Sequence, residues 1–156
     1  MRQAMKHLLA WFVNSKMKMN PTLLYTQAIQ GRATGRGFGM IDSLHLVEVA
    51  RSIMILEKSG LIKNNHLRAM KQWLRDYTEG VTTHHDGKDE MNAAKNHGTS
   101  WVMQVTAYSQ WIGNKSKMEF CRKRFKEVLI PHQMGENGSF PLGLKRTRPY
   151  NDFLFN

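Results

Sequence analysis

The sequence predicts an all-α protein built from antiparallel helical hairpins. Apolar residues recur at spacings of three and four along most of the chain, and no stretch alternates with the period of two that a half-buried strand requires. Gly60, Gly80 and Gly113 fall just past the periodic runs, where helices commonly stop. With 156 residues the chain has length for a single domain, residues 1–156.

The N-terminal residues 2–13 read as an amphipathic helix. Arg2, Lys6 and His7 precede Leu8-Leu9-Ala10-Trp11-Phe12-Val13, which superficially resembles the start of a secretion signal. The apolar run is short and no small-x-small cleavage site follows, so no signal peptide is visible. A first hairpin is predicted over residues 41–79. Its leading helix runs from Ile41 to Glu57, with Asp42 and Ser43 as start signals and Ile41, Leu44, Val47, Met54 and Ile55 as its apolar positions. Its return helix is capped by Asn65, turns Leu67, Met70, Trp73, Leu74 and Tyr77 inward, and closes at Gly80.

A second hairpin is predicted over residues 99–130. Thr99 to Ile112 carries Val102, Val105, Ser109 and Ile112 on one stripe and ends before Gly113. Ser116-Lys117-Met118-Glu119 has the spacing of a capping box, which satisfies amides that the first helical turn leaves unpaired. Met118, Cys121, Phe125 and Val128 then face inward, and Pro131 limits the helix.

Composition narrows the function. Hydrophobic residues make up 41% and charged residues 22%, a globular balance. No apolar run approaches the roughly 18 residues of a membrane span. The single cysteine, Cys121, excludes a disulfide framework or a cysteine-based zinc knuckle within one chain. A formal net charge of +11 and a pI near 10.0 favour a polyanionic partner: nucleic acid, an anionic membrane face or an acidic polysaccharide. No helix-turn-helix recognition helix or aromatic β-platform is apparent, which argues against nucleic acid.

Three segments interrupt the helical pattern, and function concentrates in such segments. The first is Gln30 to Gly39. Its glycines follow no strand and precede no Lys-Ser or Lys-Thr, so they are not a nucleotide loop. They read as a flexible turn, or as a close backbone approach to a ligand with Arg32 or Arg36 reaching an anionic group. The second is Thr82 to Gly98. Adjacent histidines such as His84-His85 rarely converge on one ion, so this stretch reads as a solvated loop with no metal. The third, Gly135 to Asn156, sets Lys145, Arg146 and Arg148 close to Tyr150, where guanidinium groups can stabilise a phenolate. Among the aromatics at helical spacing, Trp73, Tyr108 and Trp111 suit packing. Trp101, one turn from His97, is the expected exception that meets a ligand.

Several motifs occur together and in order: Met19-Asn20-Pro21, Thr34-Gly35-Arg36-Gly37, Ile41-Asp42, Lys95-Asn96-His97-Gly98-Thr99, Trp101-Val102-Met103-Gln104, Phe125-Lys126, Gln133-Met134, Ser139-Phe140-Pro141-Leu142 and Arg146-Thr147-Arg148-Pro149-Tyr150. In these the chain resembles the alginate lyase superfamily of polysaccharide lyases, over nearly everything after residue 18. The resemblance implies part of an incomplete α/α toroid and β-elimination at a uronate of an anionic polysaccharide. No cofactor, metal, nucleic acid or membrane is implied, and oligomeric state is left open. It implies a periplasmic or secreted location. Asn96 matches the carboxylate-binding asparagine and His97 the active-site histidine. Arg146 matches the arginine beside the catalytic tyrosine, for which Tyr150 is the choice here, and Arg36, Trp101, Gln104 and Arg148 are expected to contact substrate. Lys95 stands where the family usually has a second asparagine, and Asp152 where many relatives carry a tyrosine. Helical repeat units of roughly 20–45 residues allow this chain about four hairpins, so a C-terminal fragment of the domain is expected. The alternatives are an inactive polysaccharide-binding remnant or a basic nucleic-acid-binding module.

Overall fold

The computed structural model describes residues 2–146. Among them the fold is all-α: α1 (Arg2–Phe12), a 3-10 segment (Gly37–Ser43), α2 (Leu46–Lys58), α3 (Asn64–Thr83), α4 (His85–Asn92), α5 (Asn96–Ile112), α6 (Lys115–Arg124), a π-helical turn (Phe125–Leu129), α7 (Ile130–Gln133) and α8 (Pro141–Leu144). The one β-type pairing is an isolated bridge between Ile29 and Ala33. No helix among the described residues is long and apolar enough to cross a membrane.

Both predicted hairpins are present, α2 with α3 and α5 with α6. Helix α5 is the central member and packs against α2, α3, α4 and α6. It is therefore buried on more than the single stripe its sequence suggests, with Val105, Tyr108 and Ser109 fully enclosed. Aromatic rings connect three helices. Phe12 of α1 meets Trp73 of α3 edge-on at 4.8 Å, Trp73 stacks on Tyr77 at 5.1 Å, and Tyr77 meets Tyr108 of α5 edge-on at 5.7 Å. Such pairs add to the burial of the rings themselves.

Local boundaries differ from the sequence reading for identifiable reasons. Residues 41–43 end the 3-10 segment, and α2 begins only at Leu46. Ser43 does not cap α2, because its hydroxyl is engaged with the Met40 carbonyl and with Gln104. Helix α3 starts at Asn64, one residue before the expected cap, and runs through Gly80 to Thr83. Gly113 does end α5, in the left-handed conformation at φ 77°, where a side chain would be strained. The cap of α6 is Asn114 rather than Ser116: its Oδ1 accepts the Lys117 amide at 3.0 Å.

The second hairpin also continues past the expected limit. Pro131 has no amide to give and its ring crowds the carbonyl four residues back. The chain answers with a π turn, in which the Ile130 amide reaches the Phe125 carbonyl, and the helix continues to Gln133. The wider turn rotates the inward face. Phe125, expected inside, is 43% exposed, and Leu129 is buried instead.

Candidate active site

Helix α4 replaces the loop expected over residues 82–98, and it places an unanticipated carboxylate in the site. Glu90 is 3% exposed near the end of α4. The Lys95–Thr99 motif forms the junction from α4 into α5, and its side chains follow from that geometry. Gly98 is required, because a Cβ there would run into the Ala93 carbonyl and come within 3.4 Å of Leu129. Thr99 Oγ1 donates to Gln133 Oε1 at 2.8 Å, and Gln133 Nε2 donates to the Lys95 carbonyl at 3.1 Å. Helix α7 is thereby tied to the first turn of α5.

Within that frame His97 turns back onto Glu90. Its Nδ1 lies 2.9 Å from Oε1 and 2.8 Å from Oε2. An ionised carboxylate only accepts, so this contact places the hydrogen on Nδ1 and leaves Nε2 to exchange protons. The imidazole is 17% exposed, while the Glu90 side chain is 2% exposed. Asn96, the neighbouring residue, is 5% exposed, and its Oδ1 accepts no hydrogen bond among the described residues. A buried carboxamide end without a partner is unfavourable unless something else satisfies it.

The glycine segment brings Phe38 against His97. Phe38 sets its ring at 79° to the His97 imidazole, centroids 5.7 Å apart, and is itself 64% exposed. The glycines around it serve close approaches within the protein, so they do not form a loose turn. Gly35 lies against the Leu24 carbonyl, Gly39 against Thr26 and Gly37 against Asp86. Arg36 is exposed, with its Nε donating to the Gln27 carbonyl at 3.0 Å.

Two residues expected to contact substrate are buried within the described residues. Trp101 is 2% exposed, and its indole N–H donates to the Val81 carbonyl at 3.2 Å. It is core because α4 covers the face that a loop would have left open. Gln104 is 1% exposed and belongs to a buried polar network. Its Oε1 accepts from Tyr108 at 3.0 Å and from Ser43 at 2.7 Å, and Tyr77 donates to Ser43 Oγ at 2.7 Å. Burial pushes both phenols well above the usual tyrosine range. These contacts fix the end of the 3-10 segment, and so position Phe38 through the backbone.

Arg146 follows α8, and its amide donates to the Gly143 carbonyl at 3.0 Å. Arg148 and Tyr150 lie outside the described residues. Glu90 and Phe38 are contacts of His97 that sequence reasoning missed. Glu90 precedes His97 by two helical turns' worth of sequence, a signal that has meaning only once α4 is known to be a helix.

Comparison with known proteins bears on the family and the fold. The family model described as "Alginate lyase" matches residues 1–156. Among solved structures, the chain is similar to the crystal structure of an alginate lyase from Bacteroides ovatus, with a TM-score of 0.86 and 32% sequence identity. The match covers 93% of this chain and 39% of that one. No curated protein matches.

Proposed function

Because this chain belongs to the alginate lyase family, we propose that it acts on an anionic uronate polysaccharide by β-elimination. The observation that carries this reading is the buried Glu90–His97 pair, 2.8 Å apart, whose histidine lies in the turn that follows Asn96. A uronate C5 proton is weakly acidic because its neighbouring carboxylate is already negative. Asn96 donors on that carboxylate stabilise the further charge that develops as the proton leaves. His97 accepts or relays the proton through Nε2, with Glu90 holding the ring in orientation. The C4–O glycosidic bond then breaks, a C4–C5 double bond forms, and a proton is returned to the leaving oxygen. Tyr150 is assigned that proton transfer and Arg146 the support of its phenolate, while Arg36 and Arg148 are assigned to binding the polyanion. The net charge of +11 suits such a substrate. Phe38 offers an exposed ring face to a sugar. A periplasmic or secreted location belongs to the same reading.

Incubation with alginate, followed by the ultraviolet absorbance of the unsaturated uronate, tests it. We expect the signal in the unmodified chain, and its loss in His97→Gln and Tyr150→Phe. Full activity in Tyr150→Phe would move the proton transfer to another group, and full activity in His97→Gln as well would reject this site. The chain spans 39% of the Bacteroides ovatus enzyme. The second reading is a polysaccharide-binding protein without turnover. Binding of alginate with no absorbance change would select it.

A further inference from the structure

We propose that His84, His85 and Asp86 form a surface site for one divalent transition-metal ion of the zinc class. Adjacent histidines diverge in an ordinary loop or helix, but here the backbone brings them side by side. His84 is the one extended residue (φ −64°, ψ 151°) between the end of α3 and the start of α4, and His85 opens α4. Their ring centroids are 4.1 Å apart.

Asp86 completes the set. Its Oδ2 lies 3.5 Å from His84 Nδ1, and its Oδ1 lies 2.9 Å from His85 Nε2. One ligand atom from each residue falls within 4.8 Å of the others. A tetrahedral ion with bonds of about 2.0–2.2 Å separates its ligand atoms by roughly 3.3–3.6 Å. Closing the remaining spread requires movement mainly of His85, whose side chain is 75% exposed and free to turn.

Donor chemistry selects the class of ion. Two imidazoles with one carboxylate suit zinc, nickel, copper or iron, whereas magnesium and calcium favour all-oxygen sets. The carboxylate is held from behind: Gly37 packs so closely that a Cβ there would sit 3.3 Å from Asp86 Oδ1. His84 Nδ1 also accepts the Asp86 amide at 3.3 Å, a long bond that an ion would displace at small cost. Three protein donors leave a coordination position open to solvent or to an anionic ligand. The site shares the Gly37–Phe38 turn with His97, yet it does not depend on the lyase reading.

Calorimetric titration of the full chain with Zn2+ tests the site, with the visible spectrum of bound Co2+ as a second readout. We expect one equivalent to bind, and His85→Ala and Asp86→Asn each to weaken binding by at least about tenfold. His84 is left intact because its ring caps α4. His132→Ala, at an exposed histidine near the far end of the second hairpin, serves as the control and should bind as the unmodified chain does. Absence of binding, binding that survives both substitutions, or an equal loss in His132→Ala overturns the proposal. None of these results alters the expected uronate signal, so the two readings fail separately.

Discussion

At the scale of single residues, the contact between His97 and Glu90 separates catalysis from stability. Removing the imidazole leaves a buried carboxylate without its partner, a change that costs about 3–5 kcal/mol in comparable pairs. His97→Ala should therefore lower the urea midpoint as well as turnover. His97→Gln can still donate to Glu90, so it should retain more of the stability while losing about 100- to 10,000-fold in turnover. Glu90→Gln tests orientation. It should reduce kcat with little change in KM, because Glu90 touches His97 and is almost wholly shielded from solvent. An unchanged kcat in Glu90→Gln would show that the pair is structural. The motif around His97 was legible as residues, since Asn96, His97 and Gly98 are adjacent. Glu90 was not, because its pairing needs α4 to be helical, and His85–Asn92 carries few apolar residues to signal a helix.

At the scale of elements, caps and close approaches decide where helices begin and turn. Asn114→Ala should cost about 1 kcal/mol by removing the acceptor of the Lys117 amide. Ser116→Ala should cost less than half of that, because Ser116 only donates to Asn114. Equal losses on thermal melting would restore the capping box at Ser116. Gly98→Ala places a methyl against the Ala93 carbonyl, which is backbone and cannot swing aside. It should destabilise by about 1–3 kcal/mol, read as a shift in denaturant midpoint. It should also perturb His97, its neighbour in the same turn. The π turn before Pro131 belongs to this scale too. Proline at 131 predicts an interruption, but only the packed helix shows that the chain widens one turn and continues.

For the whole molecule, the buried tyrosines and Glu57 bound the pH range of stability. Tyr77 and Tyr108 are held neutral by burial, while the unfolded chain ionises near pH 10. Above that pH the unfolded state binds fewer protons than the folded one, so stability falls as pH rises. Glu57 behaves oppositely. Hydrogen bonds from Lys71 at 2.6 Å and Trp111 at 2.8 Å hold its carboxyl below the usual range. Its contribution is present above the unfolded carboxyl pKa near 4.5 and is lost as pH falls below it. Urea midpoints should therefore form a plateau that declines on both sides. Tyr108→Phe should flatten the alkaline decline and lower the plateau by about 1 kcal/mol, the hydrogen bond it gives to Gln104. An alkaline decline unchanged in Tyr108→Phe would place its origin elsewhere.

Local periodicity and local stereochemistry belonged to the sequence by itself. The hairpins α2–α3 and α5–α6, the amphipathic α1 and the glycine stop at Gly113 follow from residue spacing and from the one conformation glycine tolerates best. The run Lys95–Thr99 likewise stood out as a candidate site from its residues alone. Tertiary structure decided what each polar or aromatic side chain faces, because burial is set by neighbours distant in the chain. Trp101 lies inside because α4 covers it, and Gln104 serves the core because Ser43 and Tyr108 meet it there. Glu90 becomes a partner of His97, and His84, His85 and Asp86 become a cluster, through one short helix whose sequence looks like a loop.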